Sequence, residues 1–240
     1  MCGRFTLRTP LNLLNEYFLF HHAADLSLTP KYNIAPTHRV AALTLVDDRR
    51  ILQWMHWGFI PGWSADPSFS SRMINARSET IHEKPAFRSA FRKRRCLIMA
   101  DGYYEWKSDS SGKQPIFIHA NHHQPFAFAG IWESWQPPVD QASSTPVEPW
   151  HSTAIVTTEA NDITKHIHHR MPVILDPEDY DFWLQEDTDD LTRLQQLLVS
   201  PPNQNQMSQF KMTAVSKRVN RVTNDDEDCL KPAPTQQELF

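Results

Sequence analysis

The chain reads as short apolar runs separated by polar turns, with few stretches at helical spacing. Val40 to Val46 and Ile51 to Gly58 flank Asp47-Asp48-Arg49-Arg50, the pattern of two strands joined by a hairpin turn. Cys96 to Ala100 is a short apolar strand. It runs through Asp101-Gly102 into a second strand carrying Tyr103, Tyr104, Glu105 and Trp106. Pro115 to His119 and Phe126 to Trp132 predict two more strands across the polar turn at 121–124, and Thr153 to Thr158, Val173 to Leu175 and Met212 to Val215 complete the set. Helical spacing is confined to a few segments. Leu11, Leu14, Tyr17 and Phe18 follow Thr9-Pro10, a candidate N-cap and first-turn pair, and the His21-His22 pair falls where that helix would end. Phe87 and Phe91 stand at i, i+4 in a segment over 85–95, and 159–163 resembles a short capped helix. Phe182-Trp183-Leu184 and 191–198 predict two further helices, while 64–72 and the proline-rich 134–151 read as surface loops. Tyr32-Asn33-Ile34-Ala35-Pro36-Thr37 has the composition of a turn entering a strand.

This pattern over 240 residues fits one large domain or two small ones, and 40% hydrophobic residues supply a core. Eight Trp and 13 Phe make that core aromatic, or provide a surface that stacks on flat groups. Three scattered Cys do not form a disulfide framework and fit a reducing cytoplasm. No apolar run approaches the ~20 residues of a membrane span, and no signal peptide is visible.

Charge changes the picture locally. The net charge is −4, which does not by itself mark a nucleic-acid binder. Between Arg72 and Arg95, however, eight Lys or Arg face two acids, next to Trp57 and Trp63. That composition suits either a solvated basic face or a single-strand surface, where cations track phosphates and rings hold bases. Residues 176–190 carry eight acids and no base.

Three features carry candidate chemistry. Cys2 directly follows Met1, and removal of Met1 would leave an amine and a thiol on adjacent carbons, a pair that condenses with aldehydes. The α-amine, near about pH 7.7–8.0, is partly neutral at physiological pH. Glu105 lies between Tyr104 and Trp106, where desolvation would raise its pKa toward acid–base use. His166, His168 and His169 are close together but lack a metal-ligand spacing, so one proton-transferring or phosphate-contacting His is expected and no metal.

Six motifs in order add a resemblance. Met-Cys-Gly-Arg-Phe opens the chain, Tyr-Asn-Ile-Ala-Pro follows at 32–36, and Trp-Gly-Phe-Ile-Pro-Gly-Trp at 57–63. Ile-Asn-Ala-Arg-Ser-Glu-Thr lies at 74–80, Ala-Asp-Gly-Tyr-Tyr-Glu-Trp at 100–106, and His-His-Arg-Met-Pro at 168–172. Together they resemble the SRAP family of abasic-site processing proteins, over residues 2 to about 232.

The resemblance implies an α+β fold: a single compact domain, 1–232, with a β-rich, barrel-like mixed or antiparallel core flanked by helices and a peripheral tail at 233–240. It implies covalent capture of abasic sites in single-stranded DNA as a thiazolidine, with AP-lyase side activity, reversal and an autopeptidase-type loss of Met1. In that scheme Cys2 is the nucleophile, Asn75 orients the sugar, Glu105 is the acid–base, and His168 completes the site. Arg4, Arg77 and Arg170 contact phosphates and Trp63 contacts bases. Some bacterial members carry a tandem Trp after the Pro-Gly turn, whereas here Trp63 is followed by Ser64-Ala65. No cofactor, a monomer, and a cytoplasmic place with nucleoid association on DNA complete the implied picture. Two other readings of the residues stand beside it: an N-terminal-nucleophile Cys peptidase or amidotransferase, and a non-covalent single-strand binder with Cys2 structural.

Overall fold

Asp47 and Asp48 both take positive φ, 48° and 58°, the backbone of a two-residue hairpin turn whose twist matches its strands. They join β3 (Arg39–Val46) to β4 (Arg49–Trp57) with every residue of β3 in register. Around this hairpin a computed structural model describes residues 2–109, 112–137, 148–186, 188, 190–199 and 210–233. Before it come β1 (Phe5–Leu7), α1 (Leu11–Phe18) and β2 (Lys31–Ile34). After it come β5 (Asn75–Arg77), α2 (Arg88–Lys93), β6 (Arg95–Ala100), β7 (Gly102–Asp109), β8 (Gly112–Ala120) and β9 (Phe126–Trp135). The remainder is β10 (Trp150–Glu159), β11 (Arg170–Pro172), β12 (Ile174–Leu175), α3 (Tyr180–Leu184), α4 (Leu191–Val199) and β13 (Phe210–Ala214).

The strands form two sheets. In the larger, β10, β4, β3, β6 and β9 pair in sequence, and β9 pairs back with β10, so these five close into a ring. Within the ring all pairings are antiparallel except β10 with β4. The smaller sheet runs β13-β8-β7-β1-β2. The α+β, barrel-like architecture expected from the sequence is the one observed. Phe5 links the sheets: its ring meets Trp57 at 5.1 Å and Phe128 at 5.7 Å, both edge-on. All three rings are fully buried. This anchor fixes the direction of β1 and, with it, the three residues before it.

Several local expectations are revised. Thr9 is not a helix cap; its amide and hydroxyl donate to Asp101, and Pro10 flanks α1 with no side-chain cap. The helix ends at Phe18 with Leu19 left-handed (φ 48°), so His21 lies beyond it and bridges to Ile51 of β4. Residues 162–167 form turns, not a helix, although Asn161 Oδ1 does accept from the amides of Ile163 and Thr164. The 64–72 loop buries Ser64 and Ser70 and ends in a 3-10 turn over Ser68–Arg72. Of the 134–151 loop, 138–147 fall outside the described residues, and strand pairing extends to Trp135 and Trp150 on either side. The tail beyond 233 is likewise outside.

The basic run is the largest revision. Arg95 is only 2% exposed. Its guanidinium donates to Phe91 O and Arg92 O near the end of α2, and to Trp183 O and Gln185 O at the end of α3. One side chain thus satisfies carbonyls that two helix ends leave open. Arg94 pairs with Glu133 at 2.7 Å. Two of the eight basic residues are therefore committed inside the protein rather than offered to a ligand.

Candidate active site

The smaller sheet brings the N-terminal residues to Glu105. β1 pairs antiparallel with β7, with Phe5 opposite Tyr103, and Tyr104 N–H donates to Arg4 O. Cys2 is fully buried. The larger sheet supplies Asn75, first residue of β5, which β10 holds in parallel register opposite Ile155. Asn75 Nδ2 donates to the Cys2 carbonyl at 3.0 Å. Its Oδ1 is buried and has no hydrogen-bond partner among the described residues. Asn75 therefore fixes Cys2 with one end of its amide and keeps an acceptor available with the other.

Glu105 is 5% exposed, and burial raises its carboxyl pKa, as its aromatic flanks led us to expect. Burial also pushes the Cys2 thiol well up, and the neighbouring Glu105 charge adds to the effect. Both groups are thus held toward their protonated forms. The Tyr103 hydroxyl is raised too, first by burial and then by Cys2 and Glu105, and it is buried without a partner among the described residues.

Glu105 also lines an open groove of about 730 Å3 with Arg4, Trp106, Ser108, Lys113, His168 and Asn220. His168 follows directly on the 162–167 turns. Its Nδ1 is held by the Arg170 backbone, 3.0 Å from the Arg170 nitrogen and 3.3 Å from the Arg170 carbonyl oxygen. It stacks on His169 at 4.3 Å, and burial lowers its pKa. The fold therefore brings Cys2, Asn75, Glu105 and His168 to one region.

The four predicted DNA contacts are placed differently from one another. Arg77 is exposed on β5, and its side chain has no ion pair among the described residues. Trp63 is 71% exposed in the loop after β4. Gly58 opens that loop at φ +149°, where a Cβ would come within 2.8 Å of Ser70 O. Arg4 lies in the groove, but its Nη1 donates to Asn33 Oδ1 and Val219 O. Arg170 is 7% exposed and grips Glu79 with two hydrogen bonds, while its Nη2 donates to Thr157 O. In this arrangement Arg170 positions the backbone amide that His168 uses.

Sequence reasoning missed Tyr103 in the site and Trp106, Ser108, Lys113 and Asn220 in the groove. Tyr103 and Trp106 lie in the same motif as Glu105, two residues before it and one after, and were legible only as part of its apolar setting. Lys113 carries no sequence signal. Asn220, whose Oδ1 accepts from Trp106 Nε1 at 2.8 Å, lies 114 residues away in the chain. The signal behind it was Asn33, whose Nδ2 donates to Val219 O, Arg221 O and Asn224 O and so seats the 217–224 turn against the groove.

A family profile described as SOS response associated peptidase (SRAP) matches residues 1–222. The chain belongs to the SRAP family. It is 37% identical over 232 residues to the Bacillus subtilis abasic site processing protein YoaM, covering 96% of this chain and 97% of that one. It is 35% identical over 235 residues to YoqW of the same organism, covering 96% and 99%. A crystal structure of a Bacteroides thetaiotaomicron protein superposes with a TM-score of 0.80 over 97% of this chain and 100% of that one. At 24% identity that likeness shows the SRAP fold alone.

Proposed function

We propose that this SRAP chain processes abasic sites in single-stranded DNA by forming a thiazolidine with Cys2 once Met1 is removed. The observation that carries this reading is the joint burial of Cys2 and a raised-pKa Glu105, with Asn75 holding the Cys2 carbonyl. The family match and the names of the Bacillus relatives, abasic site processing proteins, support the substrate class.

The chemistry follows from the protonation states. A thiol held protonated is a poor first nucleophile. The amine therefore attacks the C1 aldehyde of the ring-opened sugar. The Glu105 carboxyl donates a proton as water leaves, giving an iminium ion. The Cys2 sulfur then adds to the same carbon, and the thiol proton returns to Glu105. One C–N and one C–S bond form, one water is released, and the acid is regenerated. The buried Asn75 Oδ1 is placed to accept from a sugar hydroxyl or the reacting amine. His168, neutral at physiological pH because burial lowers its pKa, serves as a hydrogen-bonding partner at the groove wall.

The iminium also acidifies the C2 proton of the sugar. Its loss expels the 3′ phosphate, a lyase reaction, and ring closure by sulfur suppresses it by returning C1 to a saturated carbon. Arg77 and Lys113 supply phosphate attraction, and Trp63 and Trp106 supply ring faces for neighbouring bases.

The test mixes mature protein with single-stranded DNA bearing one abasic site and scores heat-stable crosslinks. A band is expected, absent in Cys2→Ala and absent when Met1 is retained. A band that persists in Cys2→Ala would overturn the thiazolidine mechanism. Strand cleavage without any crosslink would leave a lyase in its place.

A further inference from the structure

A second cleft of about 500 Å3 is lined, among the described residues, by Arg39, Trp54, His56, Pro149, Trp150 and His151, none of them shared with the Cys2 groove. That volume falls within the range of small-ligand sites, about 300–1,000 Å3. Of the six described lining residues four are aromatic rings, one is a guanidinium, and none is acidic.

The rings are held in place by a layer beneath them. Trp150 is 47% exposed, yet its ring meets the buried Trp135 edge-on at 5.7 Å, and Trp135 Nε1 donates to Ser64 O. His151 packs on Trp132 at 5.2 Å. His56 lies 6.3 Å from Trp150 and within 3.3 Å of Ser70 Oγ. Trp54 packs on the core from β4. Burial lowers the His56 pKa, so that ring is neutral near pH 7 and serves as a stacking face. Arg39 is exposed, and its side chain has no hydrogen bond or ion pair among the described residues. Among the described residues, Lys, Asp and Glu are absent from the lining. A permanent cation with no counter-charge among the described residues, set beside preorganised ring faces, matches a flat group joined to an anion.

We propose that this cleft is a nucleotide-binding site, taking the base between the Trp54 and Trp150 side of the cleft and one phosphate on Arg39. The nucleotide is either free or one residue of a DNA strand. The second source has a defined reach. On β10, Ser152 pairs with His56 and Ile155 pairs with Asn75, a separation of three residues or roughly 10 Å along the strand. A strand running from the Cys2 site would need at least about three stacked nucleotides, at about 3.4 Å each, to arrive. The site does not depend on the proposed Cys2 chemistry.

The experiment titrates the full-length protein at low salt with dAMP, deoxyadenosine and inorganic phosphate, followed by calorimetry and tryptophan fluorescence. None of these ligands carries an aldehyde, so Cys2 is not engaged. We expect dAMP to bind at least tenfold more tightly than deoxyadenosine or phosphate, with at least tenfold loss in Arg39→Ala and in Trp54→Ala. Trp150→Ala, at an exposed position, gives the same readout without threatening the fold. A second arm measures binding of unmodified dT3 and dT12. Weakened dT12 binding in the variants with dT3 unchanged assigns the site to a strand. Unchanged binding of both, with dAMP binding lost, assigns it to a free nucleotide. Equal affinity for deoxyadenosine and dAMP, or dAMP and dT12 binding unaltered in all three variants, overturns the proposal.

Discussion

Asp101 and Glu105 are buried carboxylates four residues apart, one just before β7 and one within it, and they illustrate opposite uses of the same group. Asp101 is ringed by donors: the Thr6 and Thr9 hydroxyls, the Arg8 and Thr9 amides, and the Arg8 guanidinium. These contacts fasten the chain segment after β1 to the start of β7. Glu105 lines the groove and acts electrostatically on the Cys2 thiol, and burial drives it toward the protonated acid. A carboxylate saturated with donors holds structure. One whose charge is disfavoured can give and take a proton.

The sharpest way to break this contrast is Glu105→Gln. Crosslinking should fall by about 10²–10⁴-fold, the range for loss of a general acid, while urea denaturation shows the fold retained. A variant that crosslinks at the parental rate would remove Glu105 from the chemistry. Asp101→Ala should do the reverse in kind. It strands the Thr6, Arg8 and Thr9 donors and should cost about 3–5 kcal/mol of stability, read from denaturant midpoints.

The pH dependence sharpens the same comparison. The crosslinking rate should decline as pH rises through the elevated Glu105 pKa, above the usual carboxylate value of about 4.3. Stability should follow suit. A raised native pKa means the folded state binds the proton more tightly, so Glu105 contributes less to stability as pH rises from the unfolded value through the folded one. In Glu105→Gln the rate slope should disappear and the stability slope should lessen; persistence of the rate slope would assign it to another group.

The smallest effect is expected at Arg77. Arg77→Ala should leave stability within about 0.5 kcal/mol and lower the slope of log affinity against log salt by about one. Arg170→Ala should instead lose stability and slow crosslinking through His168, with the salt slope unchanged.

The contrast between the two carboxylates was not legible in Ala-Asp-Gly-Tyr-Tyr-Glu-Trp, because sequence supplies neither acid with its partners. What was legible is what local patterning controls. The Asp47-Asp48 turn, the apolar β6 and the Phe87/Phe91 pair all fold as read, since turn chemistry and period decide them. Cys2, Asn75, Glu105 and His168 were legible through motifs, and the fold brings them together. The basic run from Arg72 to Arg95 was misread for a physical reason. Counting charge treats each guanidinium as solvated, whereas Arg95 is pulled inside by four carbonyls that belong to two later-defined helix ends. Asn220 and the cleft at Trp150 depend on contacts across more than 90 residues, beyond any local pattern.

Asn33 has a consequence for the timing of biosynthesis. Its amide is completed only by the carbonyls of residues 219, 221 and 224, and Arg4 shares the Val219 carbonyl. At about 5–20 residues per second, the ribosome makes Arg4 roughly ten to forty seconds before Val219. Through that interval the wall that Asn220 gives the groove is absent, and the N-terminal segment waits without its seat. The removal of Met1 proposed above therefore has its natural window on the nascent chain, before Cys2 is enclosed.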